Sequence, residues 1–162
     1  MKKPEITIRR GKTQDFPRIL ELWLEMIEYH EKIDKRFETS AGRDQAYLNY
    51  LEEIVNHYDY NLILAERNGE VVGYTIAAIM SNQALFALPH YGFIAEMAVK
   101  ENIRSQGIGQ ALWEAARAWC KRRGVTVMQL NVSKLNKRAQ KFWRRLGCRD
   151  FLDILWYDIP ES

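Results

Sequence analysis

The feature that most constrains this chain is the run Val99-Lys-Glu-Asn-Ile-Arg104-Ser-Gln-Gly107-Ile-Gly109-Gln-Ala-Leu112, where an apolar strand breaks into a two-glycine loop and re-emerges as a helix. Glycines at 107 and 109 remove the Cβ atoms that would hold a ligand off the backbone. The first helical turn presents unpaired N–H groups at the positive end of the helix dipole, and Arg104 adds a charge beside them. Such a junction suits phosphate. Two familiar glycine fingerprints fail on spacing: nothing matches Gly-x4-Gly-Lys-Ser/Thr, and the third position of a dinucleotide loop falls on Leu112.

With 162 residues, 47% of them hydrophobic and 28% charged, the chain reads as one globular domain over 1–162, able to bury about two-thirds of its unfolded surface. Met1-Lys-Lys-Pro is followed by no apolar stretch of signal-peptide length, and no run approaches a membrane span, so the expectation is a cytoplasmic protein without a membrane partner. Cys120 and Cys148 lack CxxC spacing and neighbouring histidines, which argues against a metal site and requires no disulfide. The net charge of +3 is segregated: residues 100–149 hold 13 Lys/Arg against 2 acids, residues 1–60 hold 10 against 12. A basic second half suits a polyanionic ligand, with a solvated helix face as the alternative.

Along the chain, Glu5 to Arg10 alternates like an edge strand, and Thr13 is placed to cap a helix with Asp15 and Pro17 in its first turn. Phe16, Ile19, Leu20, Trp23, Ile27 and His30 recur at helical spacing to about residue 32. A second helix is expected over Arg43–His57, with Tyr47, Leu48, Leu51, Ile54 and Val55 on its apolar face. Leu62–Arg67 and Glu70–Met80 form a hairpin through Asn68-Gly69. Ser81–Pro89 reads as a loop, Tyr91–Lys100 as a strand, Ser105–Arg123 as a helix ended by Gly124, Val125–Val132 as a strand, Leu135–Leu146 as a helix ended by Gly147, and Arg149–Ile159 as a final strand. An antiparallel hairpin beside a βαβ unit argues an α/β (α+β) fold, a mixed sheet covered by helices.

Arg104-x-x-Gly107-x-Gly109 between a strand and a helix, the preceding strand Phe93-Ile-Ala-Glu96-Met-Ala-Val99, and the downstream Asn136-Lys-Arg-Ala139-Gln-Lys-Phe142-Trp-Arg-Arg-Leu146-Gly147-Cys148 together resemble the GNAT acyltransferase superfamily. The resemblance covers roughly the C-terminal half, while the N-terminal half matches in its order of elements. It implies a mostly antiparallel mixed sheet with splayed central strands and acetyl-coenzyme A as co-substrate, without a metal. By carry-over, the backbone of Met97, Ala98 and Val99 pairs with the pantetheine arm. The pyrophosphate sits on Gln106, Gly107, Ile108, Gly109 and Gln110, with Arg104 and Ser105 alongside. Asn136 resembles the family asparagine near the pantetheine, and a helix N-cap explains it equally well.

The resemblance also implies N-acetylation of a primary amine by direct attack through a tetrahedral intermediate. An alkylamine at pH 7 is mostly protonated, so a base is needed, and Glu96 is the only acid on the central strand. Glu96 as a carboxylate that merely orients a cationic acceptor is the other reading. The position before it, acidic in some relatives, is Ala95. Trp143 stands where many relatives carry a tyrosine acid, leaving the departing thiolate to take its proton from water, from Ser133 or from the acceptor.

The acceptor region implied by the resemblance includes Glu25, Glu28, Tyr29, His30, Glu31, Asp34, Phe37, Phe86, His90 and Tyr91, with Glu28, Tyr29 and His90 the chosen contacts. Its acids and aromatics suit a cationic amine, from an aminoglycoside-like polyamine or other small molecule to a protein amine. A non-catalytic acyl-coenzyme A sensor and, less favoured, a nucleic-acid binder are the alternatives. The apolar Phe151–Tyr157 segment fits a homodimer interface or burial within one monomer equally.

Overall fold

A computed structural model describes residues 5–161, so the Met1-Lys-Lys-Pro start lies outside the described residues. The chain divides into two compact units, the first ending at Asn131 and the second beginning at Val132. In the first unit, β1 (Ile6–Arg10), β2 (Tyr60–Arg67), β3 (Glu70–Ser81), β4 (His90–Val99) and β5 (Met128–Leu130) form one sheet in sequence order. The first four strands are antiparallel neighbours, and β4 and β5 run parallel. Helices α1 (Phe16–Ile33), α2 (Arg43–Val55) and α3 (Ile108–Arg122) complete this unit.

The two faces of the sheet are distinguished by adjacent residues of β3. Leu62, Leu64, Tyr74 and Ile76 join a core with Phe16, Ile19, Leu22 and Trp23 of α1 and Tyr47, Leu51 and Ile54 of α2. A Cβ on Gly73, the neighbour of Tyr74, would instead meet Ile108 and Leu112 of α3. Since successive strand side chains alternate, α1 and α2 cover one face and α3 the other. This is the mixed, helix-flanked sheet expected from the element order.

Local chemistry explains where the observed boundaries depart from the expected ones. Thr13 lies in a 3-10 turn, and Asp15 takes the N-cap position of α1. The Asp15 carboxylate accepts from the Lys12 amide at 2.8 Å and from both terminal nitrogens of Arg9, at 2.9 and 2.7 Å. Helix α2 ends at Val55, short of His57. The hairpin turns through Asn68 (φ 53°) and Gly69 (φ 78°), the two left-handed residues of a type I′ turn. Helix α3 starts at Ile108, three residues later than expected, because Ser105 (φ 65°) and Gly107 (φ 88°) are left-handed and no α-helix can include them. Cys120 is a buried thiol and Cys148 is half-buried.

The second unit holds α4 (Lys137–Arg145), capped by the Asn136 side chain, which accepts from the Ala139 amide at 3.0 Å. The expected final strand is absent: residues 149–161 carry no regular structure and are exposed. Their large apolar residues fall at consecutive positions, Phe151-Leu152 and Ile154 to Tyr157, instead of alternating. The pattern therefore lacks the two-residue period that commits one face of a strand to a core.

Two outcomes test this account. Gly92→Ala places a Cβ 2.7 Å from Cys120 Sγ and 3.0 Å from Met128 Cγ, and urea unfolding is expected to show a loss of about 1–3 kcal/mol. The Arg9 guanidinium holds the Asp15 carboxyl below the usual carboxylate range. Its contribution is present above the unfolded value and lost as pH falls through the folded one. Asp15→Asn should therefore cost about 2 kcal/mol at neutral pH, with the gap to wild type closing below about pH 4.

Candidate active site

The site is organised by β4. Ile76 pairs with Glu96 and Ala77 with Ile94, so Ala95 is an extra residue, a β-bulge. Upstream of the bulge, Gly92, Phe93 and Ile94 pair with Met128, Gln129 and Leu130 of β5. Downstream, no described strand pairs with that edge of β4, so the sheet opens between its two parallel strands.

The phase of the remaining ladder fixes which groups face the opening. Lys100 N–H donates to the Val72 carbonyl at 2.9 Å, making Gly73 and Val99 a non-hydrogen-bonded pair. The backbone groups of Ala98 are consequently committed to Tyr74, while those of Met97 and Val99 point away from β3. Arg104 Nε donates to the Val99 carbonyl at 2.8 Å, which ties the glycine loop to the end of the strand. The edge thus keeps the Met97 N–H, the Met97 C=O and the Val99 N–H.

Beyond Arg104 the loop turns through Ser105 and Gly107, both left-handed, with the Gln106 side chain accepting from Arg67. The first bond of α3 runs from Ala111 N–H to the Gly107 carbonyl at 3.0 Å, leaving the amides of Ile108, Gly109 and Gln110 without helical acceptors. No side chain caps this end and its first turn contains no acid, so its partial positive charge is uncompensated. A Cβ on Gly107 would meet nothing within 4 Å, so its left-handed backbone, and not crowding, calls for glycine here.

Glu96 is half-buried on the α1–α2 side of the opening. Its Oε2 accepts from Tyr47 Oη at 2.6 Å and from Tyr74 Oη at 2.9 Å, and the two phenol oxygens lie 3.0 Å apart. Trp23 stacks on the Tyr47 ring at 4.2 Å with planes 12° apart. Burial pushes the Glu96 carboxyl up, with the two phenol donors pulling the other way. Burial also pushes Tyr47, Tyr50 and Tyr74 upward, so these phenols stay protonated, and Tyr47 and Tyr74 serve as the donors to Glu96.

The acceptor-side residues are more dispersed. Glu28 and Glu31 both pair with Arg43, Glu31 also accepts from Thr39, and Asp34 is bound to Arg36. Tyr29 and His30 pack edge to face, and His30 Nδ1 donates to the Met26 carbonyl at 2.8 Å. His90 is exposed at the start of β4, six residues and roughly 20 Å of strand from Glu96. In the second unit, Ser133 Oγ accepts from Leu135 N–H and the Trp143 ring packs edge to face on Phe142. A groove of about 690 Å³ lined by Arg10, Tyr58, Trp119 and Arg123 contains none of these groups.

Tyr47 and Tyr74 are the residues that the sequence reading missed. Tyr47 counted only as an apolar helix position and Tyr74 only as part of a strand. A tyrosine at a fully buried position must find a partner for its hydroxyl, and that requirement was the available signal.

Residues 21–148 match the model of the acetyltransferase (GNAT) family. A protein from Archaeoglobus fulgidus described as an uncharacterised N-acetyltransferase is 30% identical over 95 residues, covering 59% of this chain and 64% of its own length. Among solved structures, a tetramutant of the BH1408 protein from Bacillus halodurans superposes with a TM-score of 0.85 at 20% identity, covering 94% of this chain and 99% of that one. The aminoglycoside N-acetyltransferase AAC(6')-Iy in complex with CoA superposes with a TM-score of 0.75 at 19% identity, covering 98% and 97%. With its open sheet edge, glycine loop and matched family model, this chain belongs to the GNAT acetyltransferase family, a family of acyltransferases that use acetyl-coenzyme A.

Proposed function

We propose that this protein, acting as a single domain, transfers the acetyl group of acetyl-coenzyme A to a primary amine, with Glu96 as the base. One observation carries the reading: a carboxyl group raised in pKa stands on the strand next to Met97, where the sheet opens and the Met97 N–H has no strand partner. The free amides of Met97 and Val99, and those of Ile108, Gly109 and Gln110, fit an amide-bearing arm ending in a pyrophosphate. Ser105 and Gln106 shape the loop, and Arg104 braces it against the strand. The co-substrate supplies the activated acyl carbon.

The rest is proton handling by the chain. An amine of pKa about 10.4 at pH 7 loses roughly 4.6 kcal/mol of nucleophile to protonation. A carboxyl group with a raised pKa lies nearer to neutrality and accepts that proton more readily than an ordinary one. The Met97 N–H is placed to donate to oxygen where negative charge develops. The Trp143 indole offers no comparable acid, and a thiol of pKa about 8.5 leaves without one. Asn136 contributes through its cap of α4.

The acceptor class is a primary amine of a small molecule or a protein. Glu28 and Glu31 are satisfied by Arg43, so acceptor selection falls to Glu96 and the aromatic surfaces of Trp23 and Tyr50, with Tyr29 and His90 at greater remove.

Acetyl-coenzyme A at about 100 times its dissociation constant should raise stability by roughly 2.7 kcal/mol, and amines should then release thiol. No stabilisation and no thiol release with polyamine, aminoglycoside or lysine-peptide acceptors would retire the reading. Gly107→Val forces a β-branched residue into a left-handed conformation, at about 1–2 kcal/mol, and should weaken acetyl-coenzyme A binding about tenfold by calorimetry. Glu96→Gln should lower turnover about 10²–10⁴-fold while sparing co-substrate affinity. A raised carboxyl pKa favours the fold below its unfolded value, and the benefit is lost as pH rises through the folded one. The thermal midpoint of Glu96→Gln should therefore gain on wild type across that interval.

A further inference from the structure

We propose that Tyr47 and Tyr74 are positioning residues that clamp one carboxylate oxygen of Glu96 and so present the other to the acceptor amine. The inference rests on the reading of Glu96 as the base and assigns work to residues outside the expected machinery. Both phenols reach the same oxygen, Oε2, at 2.6 and 2.9 Å. No described group donates to Oε1. Among the described residues no sealed side-chain oxygen lacks a partner, so Oε1 is open to solvent. The two oxygens of one carboxylate thus have different surroundings.

The clamp is built from two layers of the fold. Tyr74 comes from the neighbouring strand β3 and is fully buried; Tyr47 comes from the covering helix α2 and is 5% exposed. Trp23 of α1 holds the Tyr47 ring flat at 4.2 Å, and the 3.0 Å separation of the phenol oxygens brings both donors to one point. Rotating the carboxylate would break both hydrogen bonds together, and since the phenols can offer only one bond to each other, one buried hydroxyl would be left without an acceptor. A glutamate has three side-chain torsions, and fixing them before the acceptor arrives removes that ordering cost from the reaction. Thr75 Oγ1 donates to the Glu96 carbonyl at 2.8 Å, which fixes the backbone under the clamp.

Proton transfer then has a direction. An N–H bond of the ammonium breaks, its electron pair stays on nitrogen, and the proton forms an O–H bond at Oε1, while Oε2 continues to accept from both phenols. The titratable groups that interact with Glu96 are Tyr47 and Tyr50 of α2 and Tyr74 of β3. Among the described residues, the phenols of Tyr47 and Tyr74 are the side chains that act on its ionisation. The phenols favour the ionised form, against the effect of burial, so removing either hydroxyl must raise the carboxyl midpoint further.

The test needs no acceptor. In protein labelled with 13C at glutamate carboxyl carbons, Glu96→Gln assigns the resonance, and its pH titration is followed in wild type, Tyr47→Phe and Tyr74→Phe. Each phenylalanine variant removes one oxygen and keeps the ring. Midpoints displaced to higher pH in both, with near-ultraviolet circular dichroism unchanged, support the clamp. The ascending limb of kcat against pH should move with them in thiol release, with KM for acetyl-coenzyme A unchanged. Midpoints that stay in place while Glu96→Gln is inactive overturn the clamp alone. Full turnover in Glu96→Gln overturns the base reading, and the clamp's role with it. Should Tyr74→Phe fail to fold, Tyr47→Phe decides by the same criteria.

Discussion

The site depends on a single inserted residue in β4. If β4 ran through Ala95 without a bulge, strict alternation would put Glu96 on the same face as Gly92, whose missing Cβ points at Cys120 of α3. The bulge carries Glu96 to the other face, under α1 and α2, where Tyr47 and Tyr74 meet it. The same insertion changes which backbone groups face the open edge, substituting those of Met97 and Val99 for those of Glu96 and Ala98. Carboxylate and amide donors are therefore set by one backbone event, and one neighbouring hydroxyl, that of Thr75, secures it.

The sequence revealed this architecture where the governing forces are local. The hairpin at Asn68-Gly69, the helix periodicity from Phe16 to Ile27 and the glycine loop before α3 each follow from backbone preference or spacing within a few residues. What depended on distant partners was less visible. The bulge at Ala95 has no glycine to mark it, and the Tyr47–Tyr74–Glu96 contact spans 49 residues. The phase that turns Ala98 inward is a property of the β3–β4 ladder. Arg43 shows the same limit: the acids of α1 looked available to a cation until a residue of α2 proved to engage two of them. The terminal strand failed for a related reason, since apolar content without alternation names no buried face.

Charge in the first unit is organised as short local networks. Arg9 joins Asp15 and Glu66, Arg18 joins Glu21 and Glu70, and Arg43 joins Glu28 and Glu31. Most of these pairs are partly exposed and stabilise modestly; Asp15, buried and also bonded to the Lys12 amide, is the exception. Glu96 contrasts with them: it is held by neutral donors, so its charge is not cancelled by a neighbouring cation. A guanidinium at that position would have driven the carboxyl down instead of letting burial raise it.

The contact between Arg104 and the Val99 carbonyl gives the open strand edge a finite grammar. Read along β4, the edge offers a donor, an acceptor and a donor, and then a carbonyl that already accepts one bond from Arg104 Nε. An extended molecule laid there must answer with an acceptor, a donor and an acceptor, the sequence of an amide flanked by a second carbonyl. One step further it meets an arginine side chain where a strand would have continued the ladder. A ladder partner added to this edge would therefore end where the loop beginning at Arg104 takes over from the strand.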